Sequence, residues 1–540
     1  MLTKLHNMFR LISAHKILII IVVVICVLEC YGATQKSLWI DEFFSWGVVK
    51  RPIQDLFYQK TFIDWNKNSF PPLYEAIVHC FLKIVCIEND LTLRLPAILF
   101  FLLVIILVYM FTLKLSKSKK AAVIAAFLTA TSPGYFHYGS MLRGYLFMAT
   151  LVILSFLCIY AFVQSYNKKR HLIFLSFIYC CMVYTFYPLI IIIGIEMVAL
   201  HIYVYKRKQY DIFPFLMMCI LLPSIAFIPW YANFITDYYT ESTKGMTSLT
   251  ALQNVWSFIS TVLWHNNSTL IVHGVIFPVS LFFLYKSWYK KTKKKNAGTL
   301  VVSYIVLTCT VGYIFIFIVK MMLQSYGADG FLYVRYYLPV FFVIIIYNSI
   351  FIAKLKSKIL LTAFIISLTC LNVHNGIRWH INMPEMKQVA SYVEKFVSND
   401  NQTHIFFEDV MFIPGFLYYF AGSDYAFMAV QRYWGERRIV NEALRKKNIR
   451  ISGNVIGLAA YRSAVVLKQD HDVLVLIGSD FFDDYAEYGF YGTDNFINST
   501  EYYMEKEGLI YQLLGKKHFN SYTVAVYKNS HEIGHARKNT

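Results

Sequence analysis

The sequence predicts a polytopic α-helical membrane protein that ends in an extracytoplasmic α/β domain. Three observations predict it. Of 540 residues, 57% are hydrophobic and 15% charged, whereas soluble domains carry about 25% charged residues. About eleven apolar runs, long enough or nearly long enough to span a bilayer, follow one another up to residue 374. Beyond residue 375 the apolar residues fall instead into short runs of the kind that make buried strands.

The runs cover residues 17–32, 95–113, 121–136, 144–163, 171–186, 188–205, 212–230, 270–285, 299–320, 336–353 and 359–374. The first lacks a small-residue cleavage site, so it reads as a retained span. A long loop, 33–93, comes next. Within it, Gly47 to Tyr58 and Leu73 to Ile87 have helix-like apolar spacing broken by charges, which predicts two short interfacial helices. Pro71 and Pro72 impose extended backbone just before the second.

The formal net charge of +19 invites a nucleic-acid reading, and the placement of the basic residues excludes it. The alternate connections 1–16, 114–120, 167–170, 206–208, 286–295 and 354–358 hold 22 Lys or Arg in 45 residues. All six lie on one side if every run spans, and by the positive-inside rule that side is cytoplasmic. The N-terminus is then cytoplasmic. The opposite connections, 33–93, 137–143, the junction near 187, 231–269 and 321–335, face outward together with the tail. The expected location is the cell membrane, plasma or inner, crossed many times.

The domains expected are residues 1–375, the membrane part, and 376–540, the outer α/β part. In the tail, His404–Phe407, Asp472–Ile477 and Tyr522–Tyr527 read as strands, and Met386–Phe396, after Pro384, as a helix. Gly453 and Gly457 make no dinucleotide fingerprint, and the tail reads as a structural or acceptor-docking module. The ten cysteines form no CxxC pattern and no disulfide framework. Whether Cys80 and Cys86 pair is left open by the sequence.

The chemistry-bearing stretch is Trp39-Ile40-Asp41-Glu42, directly after the first span. Two adjacent carboxylates stand between aromatic residues where a membrane helix emerges into water. On the same predicted side lie Arg94, Arg143 and Arg335, each at the outer end of a span.

These segments resemble a known family. Trp39-Ile40-Asp41-Glu42, Pro71-Pro72-Leu73-Tyr74 and Arg94-Leu95-Pro96-Ala97 are similar to the opening of GT-C superfamily glycosyltransferases, in the branch of the protein O-mannosyltransferases and lipid A aminoarabinose transferases. Ser132-Pro133, the Tyr-rich stretch after it and Arg143-Gly144-Tyr145 resemble the SP and Arg-x-Tyr motifs of bacterial members. Arg335-Tyr336-Tyr337-Leu338-Pro339 resembles the family's RYLLP segment. The likeness runs over residues 1–375 in order and topology. The chain departs from the pattern at Phe70 and Phe186, where relatives often carry His, and at Met141, where many carry Glu. Glu75 replaces an aromatic residue and adds a carboxylate.

The resemblance implies a GT-C fold and an integral-membrane enzyme. Such an enzyme moves a sugar from a polyprenyl-phosphate carrier to an acceptor hydroxyl on the outer face, with inversion. An acceptor hydroxyl attacks only as its proton leaves, and a carboxylate against it serves as general base. Asp41 matches the family's catalytic Asp. Glu42 orients the acceptor or tunes the ionisation of Asp41. The departing lipid phosphate calls for fixed cations with a planar donor fork, which assigns Arg143, Arg335 and Arg94; snorkelling to headgroups is the competing role, most of all for Arg94. Tyr74, Glu75, Tyr138, Tyr145 and Tyr336 are the expected substrate-lining residues. Asp41 and Glu42 have no third ligand at metal spacing, so no metal and no cofactor are expected beyond the lipid-linked donor. The partners implied are that donor, a protein, lipid or glycan acceptor, and membrane lipid, with no nucleic acid. Two other classes compete. A flippase or transporter of lipid-linked glycans would use intramembrane acids, here Glu29 and Glu196. A non-catalytic scaffold would depend on the tail alone.

Overall fold

A computed structural model of the chain describes residues 15–57, 72–164, 168–242, 297–323, 338–355, 366, 370, 386–397, 403–407, 413–420, 449–453, 473–479, 511–519 and 522–529. The predicted span 270–285, nearly all of 359–374, and Arg335 and Tyr336 lie outside these residues. The chain divides into two compact units, Met1–Thr34 with Trp65–Trp379, and Gln35–Asp64 with His380–Thr540.

The helices described in the first unit are α1 (Lys16–Gln35), α4 (Leu73–Val85), α5 (Asp90–Ser116), α6 (Lys119–Thr131), α7 (Pro133–Gly139), α8 (Tyr145–Gln164), α9 (Lys168–Val183), α10 (Ile190–Lys206), α11 (Phe213–Ser242), α12 (Ala297–Leu323) and α13 (Leu338–Ala353). Those of the second unit are α2 (Ile40–Val49), α3 (Ile53–Phe57), α14 (Met386–Glu394) and α15 (Ile413–Phe420). Among the described residues, four stretches are long and apolar enough to cross a bilayer: Lys16–Gln35, Asp90–Ser116, Tyr145–Gln164 and Tyr210–Ile228. The chain is a multi-pass membrane protein.

Side-chain patterning explains how these helices pack. α1 buries only Ile25, Glu29 and Ala33, a stripe one residue wide repeating every fourth position. Val23, Val24, Val27 and Leu28 stay exposed, as suits a helix at the rim of a bundle in lipid. α5, α6, α8 and α13 bury residues around most of their circumference and form the core. α5 starts at a reciprocal cap: the Thr92 amide donates to Asn89 Oδ1 and the Asn89 amide to Thr92 Oγ1, each at 2.9 Å. Ser132 closes α6 and Pro133 opens α7, where a missing N–H costs nothing.

One end of this bundle collects basic residues. The ammonium groups of Lys114 and Lys117 lie over the Tyr160 ring. His15 Nδ1 is 2.6 Å from the Tyr109 hydroxyl, and Cys158 Sγ donates to the His171 carbonyl. The start of α1, the end of α5, the end of α8 and the start of α9 therefore share this end, as an up-and-down bundle requires.

The second unit contains a five-stranded mixed sheet: β1 (Thr403–Phe407), β2 (Ile449–Gly453), β3 (Val473–Ser479), β4 (Tyr511–Phe519) and β5 (Tyr522–Asn529), in the order β2-β1-β3-β5-β4. β1 pairs in parallel with β2 and β3, with Thr403 opposite Ile449 and Val473. β5 runs antiparallel to β3 and β4, with Val475 opposite Val526. Consecutive residues of β1, β3 and β5 are buried, so both sheet faces are covered. α14 turns Met386, Val389, Ala390 and Val393 inward at helical spacing. A Cβ on Gly515 of β4 would stand 2.6 Å from the Tyr392 hydroxyl, so that strand lies against α14 only because the residue is glycine.

The strands expected at 404–407, 472–477 and 522–527 are present within a residue or two at each end. β2, β4 and α15 have no counterpart in the sequence reading. The first interfacial helix also begins earlier than the expected Gly47: Asp41 and Glu42 lie inside α2. The ten cysteines are all free thiols, Cys80 and Cys86 included.

Candidate active site

In the first unit, the described parts of three predicted outward-facing segments, 33–93, 137–143 and the junction near 187, come together at the end of the bundle opposite the basic one. Arg94, 3% exposed in the first turn of α5, donates from Nη1 to the Ala33 carbonyl at 2.9 Å. That carbonyl is among the last four of α1, which have no partner within the helix. Arg94 therefore closes the C-terminal end of the first span, with a cation at the negative end of the helix dipole. A buried structural contact of this kind replaces the headgroup snorkelling considered for it.

α4 docks beside it. The Leu73 amide donates to the Tyr184 carbonyl at 3.1 Å, joining the start of α4 to the exit of α9. Tyr74 is 1% exposed and packs against Phe100 of α5 and Phe147 of α8, with ring centroids 6.4 Å away in each case. Gly144 faces it: a Cβ there would lie 3.2 Å from Tyr74 Cβ and Cγ. The Pro-Pro-Leu-Tyr segment and the Arg143-Gly144-Tyr145 segment are thus in direct contact. Glu75, one residue on, is half-buried in the first turn of α4.

The segment from Ser132 to Tyr145 is the hub. Tyr138 and Tyr145 meet edge to face, with centroids 5.1 Å apart, and both are buried. His137 sits edge-on to Tyr138 at 4.8 Å. Arg143 is half-buried in the turn between α7 and α8, and its amide donates to the Met141 carbonyl. Gly139 marks the closest approach to α1: a Cβ there would fall 2.9 Å from Glu29 Oε1 and 2.6 Å from Phe101 Cδ1. Tyr135 reaches across the bundle. Its hydroxyl donates to the Leu338 carbonyl at 2.7 Å, and its ring tilts against Phe341 at 6.1 Å. Leu338 is the third residue after Arg335 in sequence, so the segment carrying Arg143 and the segment that follows Arg335 are tied together. Arg335 and Tyr336 themselves lie outside the described residues.

The acidic pair belongs to the second unit. Trp39 is the N-cap of α2, with extended backbone, and the Glu42 carboxylate accepts from the Trp39 amide at 2.8 Å. The Glu42 and Phe43 amides donate back to the Trp39 carbonyl at 2.8 and 3.1 Å. Glu42 is 1% exposed. Its side chain thus holds the first turn of its own helix, with its charge at the positive end of the helix dipole. Asp41 stands at the second position of that helix. Sequence reasoning missed this cap because Trp is not among the residues that cap helices with a side chain; the Glu three positions after Trp39 was the available signal. It also missed Tyr135, Tyr418, Tyr419 and Ser37, whose partners lie far away in the chain. Among the described residues, no group of three His, Cys, Asp or Glu is placed to hold a metal ion.

Comparison with known proteins bears on this arrangement. Residues 69–232 match the profile of the family described as dolichyl-phosphate-mannose-protein mannosyltransferase. No curated protein matches in sequence. Among solved structures, ArnT from Cupriavidus metallidurans superimposes with a TM-score of 0.50 at 10% identity, over 95% of this chain and 98% of its own, both bound to undecaprenyl phosphate and in the apo state. The oligosaccharyltransferase of Archaeoglobus fulgidus follows at a TM-score of 0.43 and 10% identity, over 88% of this chain and 71% of its own; a likeness at that level carries no argument. Identity this low establishes the fold alone, and the fold is the one the motifs implied.

Proposed function

We propose that this chain, which has the GT-C glycosyltransferase fold in a multi-pass membrane protein, transfers a sugar from a polyprenyl-phosphate-linked donor to an acceptor hydroxyl on the outer face of the membrane. The observation that carries the reading is the bond from Tyr135 to the Leu338 carbonyl. With the contact of Gly144 on Tyr74, it draws Tyr74 of the Pro-Pro-Leu-Tyr segment, the Arg-Gly-Tyr segment and Leu338, the residue three after Arg335, together at one end of one bundle. Unrelated loops of a transporter or scaffold have no reason to be joined in this way. ArnT, whose fold this is, was solved with undecaprenyl phosphate bound, which suits the lipid-phosphate class of donor.

In this reading the Asp41 carboxylate takes the proton from the acceptor hydroxyl while its oxygen attacks the anomeric carbon. The bond from that carbon to the phosphate oxygen breaks, the configuration inverts, and the lipid phosphate leaves with the electron pair. Arg143 and Arg335 stabilise the charge that develops on the phosphate. Arg94 acts indirectly, by fixing the end of α1. Glu42 holds the pitch of the helix that carries Asp41. Tyr138, Tyr145, Tyr336, Tyr74 and Glu75 line or buttress the donor side. We take the chemistry to be metal-free: Glu42, the acid next to Asp41, is bonded to a backbone amide, and among the described residues no cluster of ligands is placed to hold a metal. The N-terminus is cytoplasmic and the α/β domain extracytoplasmic.

The test uses the full chain in nanodiscs with a polyprenyl-phosphate sugar and an acceptor mixture from the cell envelope. Asp41→Asn should leave expression and melting temperature unchanged and reduce transfer by at least 100-fold, on the order expected for removing a general base. Transfer should survive EDTA. Normal turnover by Asp41→Asn refutes the assignment of the base, and loss of turnover in EDTA refutes the metal-free mechanism.

A further inference from the structure

The helix that carries Asp41 is ten residues long, too short to be stable in isolation. What holds it comes from the opposite end of the sequence. The Leu38 amide, just before the N-cap, donates to the Tyr419 hydroxyl of α15 at 2.7 Å, across 381 residues. The Tyr418 ring lies edge-on to both Phe43 and Trp46, with centroids 5.6 Å away in each case. Phe43 and Trp46, three residues apart on one face of α2, are 4% and 0% exposed. One residue before Leu38, Ser37 Oγ accepts from the Lys387 amide at the start of α14 at 2.9 Å. Ser37 thereby satisfies one of the N–H groups that the first turn of a helix leaves without a partner. α15 is itself anchored on the sheet, where Phe416 meets Phe407 of β1 at 5.2 Å.

We propose that the C-terminal domain is a positioning device for the Asp41 helix, and that Tyr419, Tyr418 and Ser37 are the residues through which it acts. This departs from a docking module for acceptors, and it rests on the reading of Asp41 as the base. Two hydrogen bonds, Leu38 to Tyr419 and Lys387 to Ser37, hold α2 at its start, and the Tyr418 ring against Phe43 and Trp46 holds one face. The pitch and rotation of the second residue of α2 therefore follow from α14 and α15. None of the three side chains touches substrate in this proposal; they set where the carboxylate stands.

Two measurements on the full chain in nanodiscs test it. In hydrogen–deuterium exchange, Tyr419→Phe should speed exchange of amides 38–46 about five-fold, the equivalent of one lost hydrogen bond of about 1 kcal/mol, with exchange in α5, α8 and α13 unchanged. Tyr418→Leu should do the same by removing the ring contacts, while Tyr418→Phe, which keeps the ring, should match the parent chain. In the transfer assay, Tyr419→Phe and Tyr418→Leu should lower kcat several-fold at unchanged donor KM, and Tyr418→Phe should restore it. Unchanged exchange of α2 in both Tyr419→Phe and Tyr418→Leu overturns the proposal, as does a loss that falls on donor KM with kcat intact. If the parent chain transfers no sugar at all, the functional reading fails while the exchange comparison still decides the clamp.

Discussion

The carboxylate of Glu42 folds back onto the amide of Trp39, 2.8 Å away, and so caps the helix in which its neighbour Asp41 stands. Two adjacent acids that look equivalent in the sequence are therefore given different work. One is an internal brace, and the other is the base proposed above.

Exchange at the two positions should separate these roles. Glu42→Gln keeps an oxygen that accepts from Trp39 and should retain most activity. Glu42→Ala removes the cap, should weaken α2 by about 1 kcal/mol, and should lower transfer several-fold through kcat. Asp41→Asn should abolish transfer with no loss of thermal stability. Melting curves and initial rates on the three proteins check the division.

The glycines form a graded series. Gly139→Ala drives a methyl group to 2.6 Å from Phe101 Cδ1 and 2.9 Å from Glu29 Oε1, an overpacking that should cost about 1–3 kcal/mol. Gly144→Ala meets Tyr74 at 3.2 Å and should cost less while impairing transfer, because Arg143 is its neighbour. Gly194→Ala in α10 meets nothing within 4 Å and should be neutral or stabilising by up to about 1 kcal/mol. Melting temperatures in one detergent should fall in that order.

Tyr135→Phe removes the donor from the Leu338 carbonyl and keeps the ring against Phe341. The cost should be about 1 kcal/mol in stability. Transfer should fall by a larger factor than Glu42→Gln produces, since this bond ties α7 to the start of α13. Paired rate and stability measurements on the two variants decide it.

Ser155 donates to Glu196 Oε1 at 2.8 Å, both residues fully buried in helices of the bundle. Ser155→Ala takes away that donor and should cost about 1–3 kcal/mol. Glu196→Gln should leave transfer at the parent rate, as expected of an acid whose role is internal packing. A glycan transporter working through Glu196 would instead lose its activity in Glu196→Gln, which a reconstituted flipping assay would register.

Much of the membrane part was legible in the sequence, because a hydrocarbon environment imposes long apolar runs and the basic loops alternate with them. The described spans 17–32, 95–113 and 144–163 fall within observed helices to within one residue. In the C-terminal domain the reading found β1, β3 and β5, whose buried faces make continuous apolar runs. It missed β4, whose Gly515-Lys516-Lys517 interrupts the run and whose described residues 512–514 and 516–518 are exposed. It missed β2, whose Arg450 breaks a five-residue strand. The site was half legible. Motif residues announce themselves by type, but the bonds that join them run from Tyr135 to Leu338, 203 residues on, and from Leu38 to Tyr419. No periodicity encodes such distances.

The unpaired thiols of Cys80 and Cys86 have a practical consequence. Both are exposed, one on α4 and the other its left-handed C-cap at φ 55°, on the loop assigned to the outer face. Every other cysteine inside a described helix of the first unit is buried or half-buried apart from Cys370. An impermeant maleimide applied to intact cells thus reads the handedness of insertion from the native chain, with no reporter engineered into it.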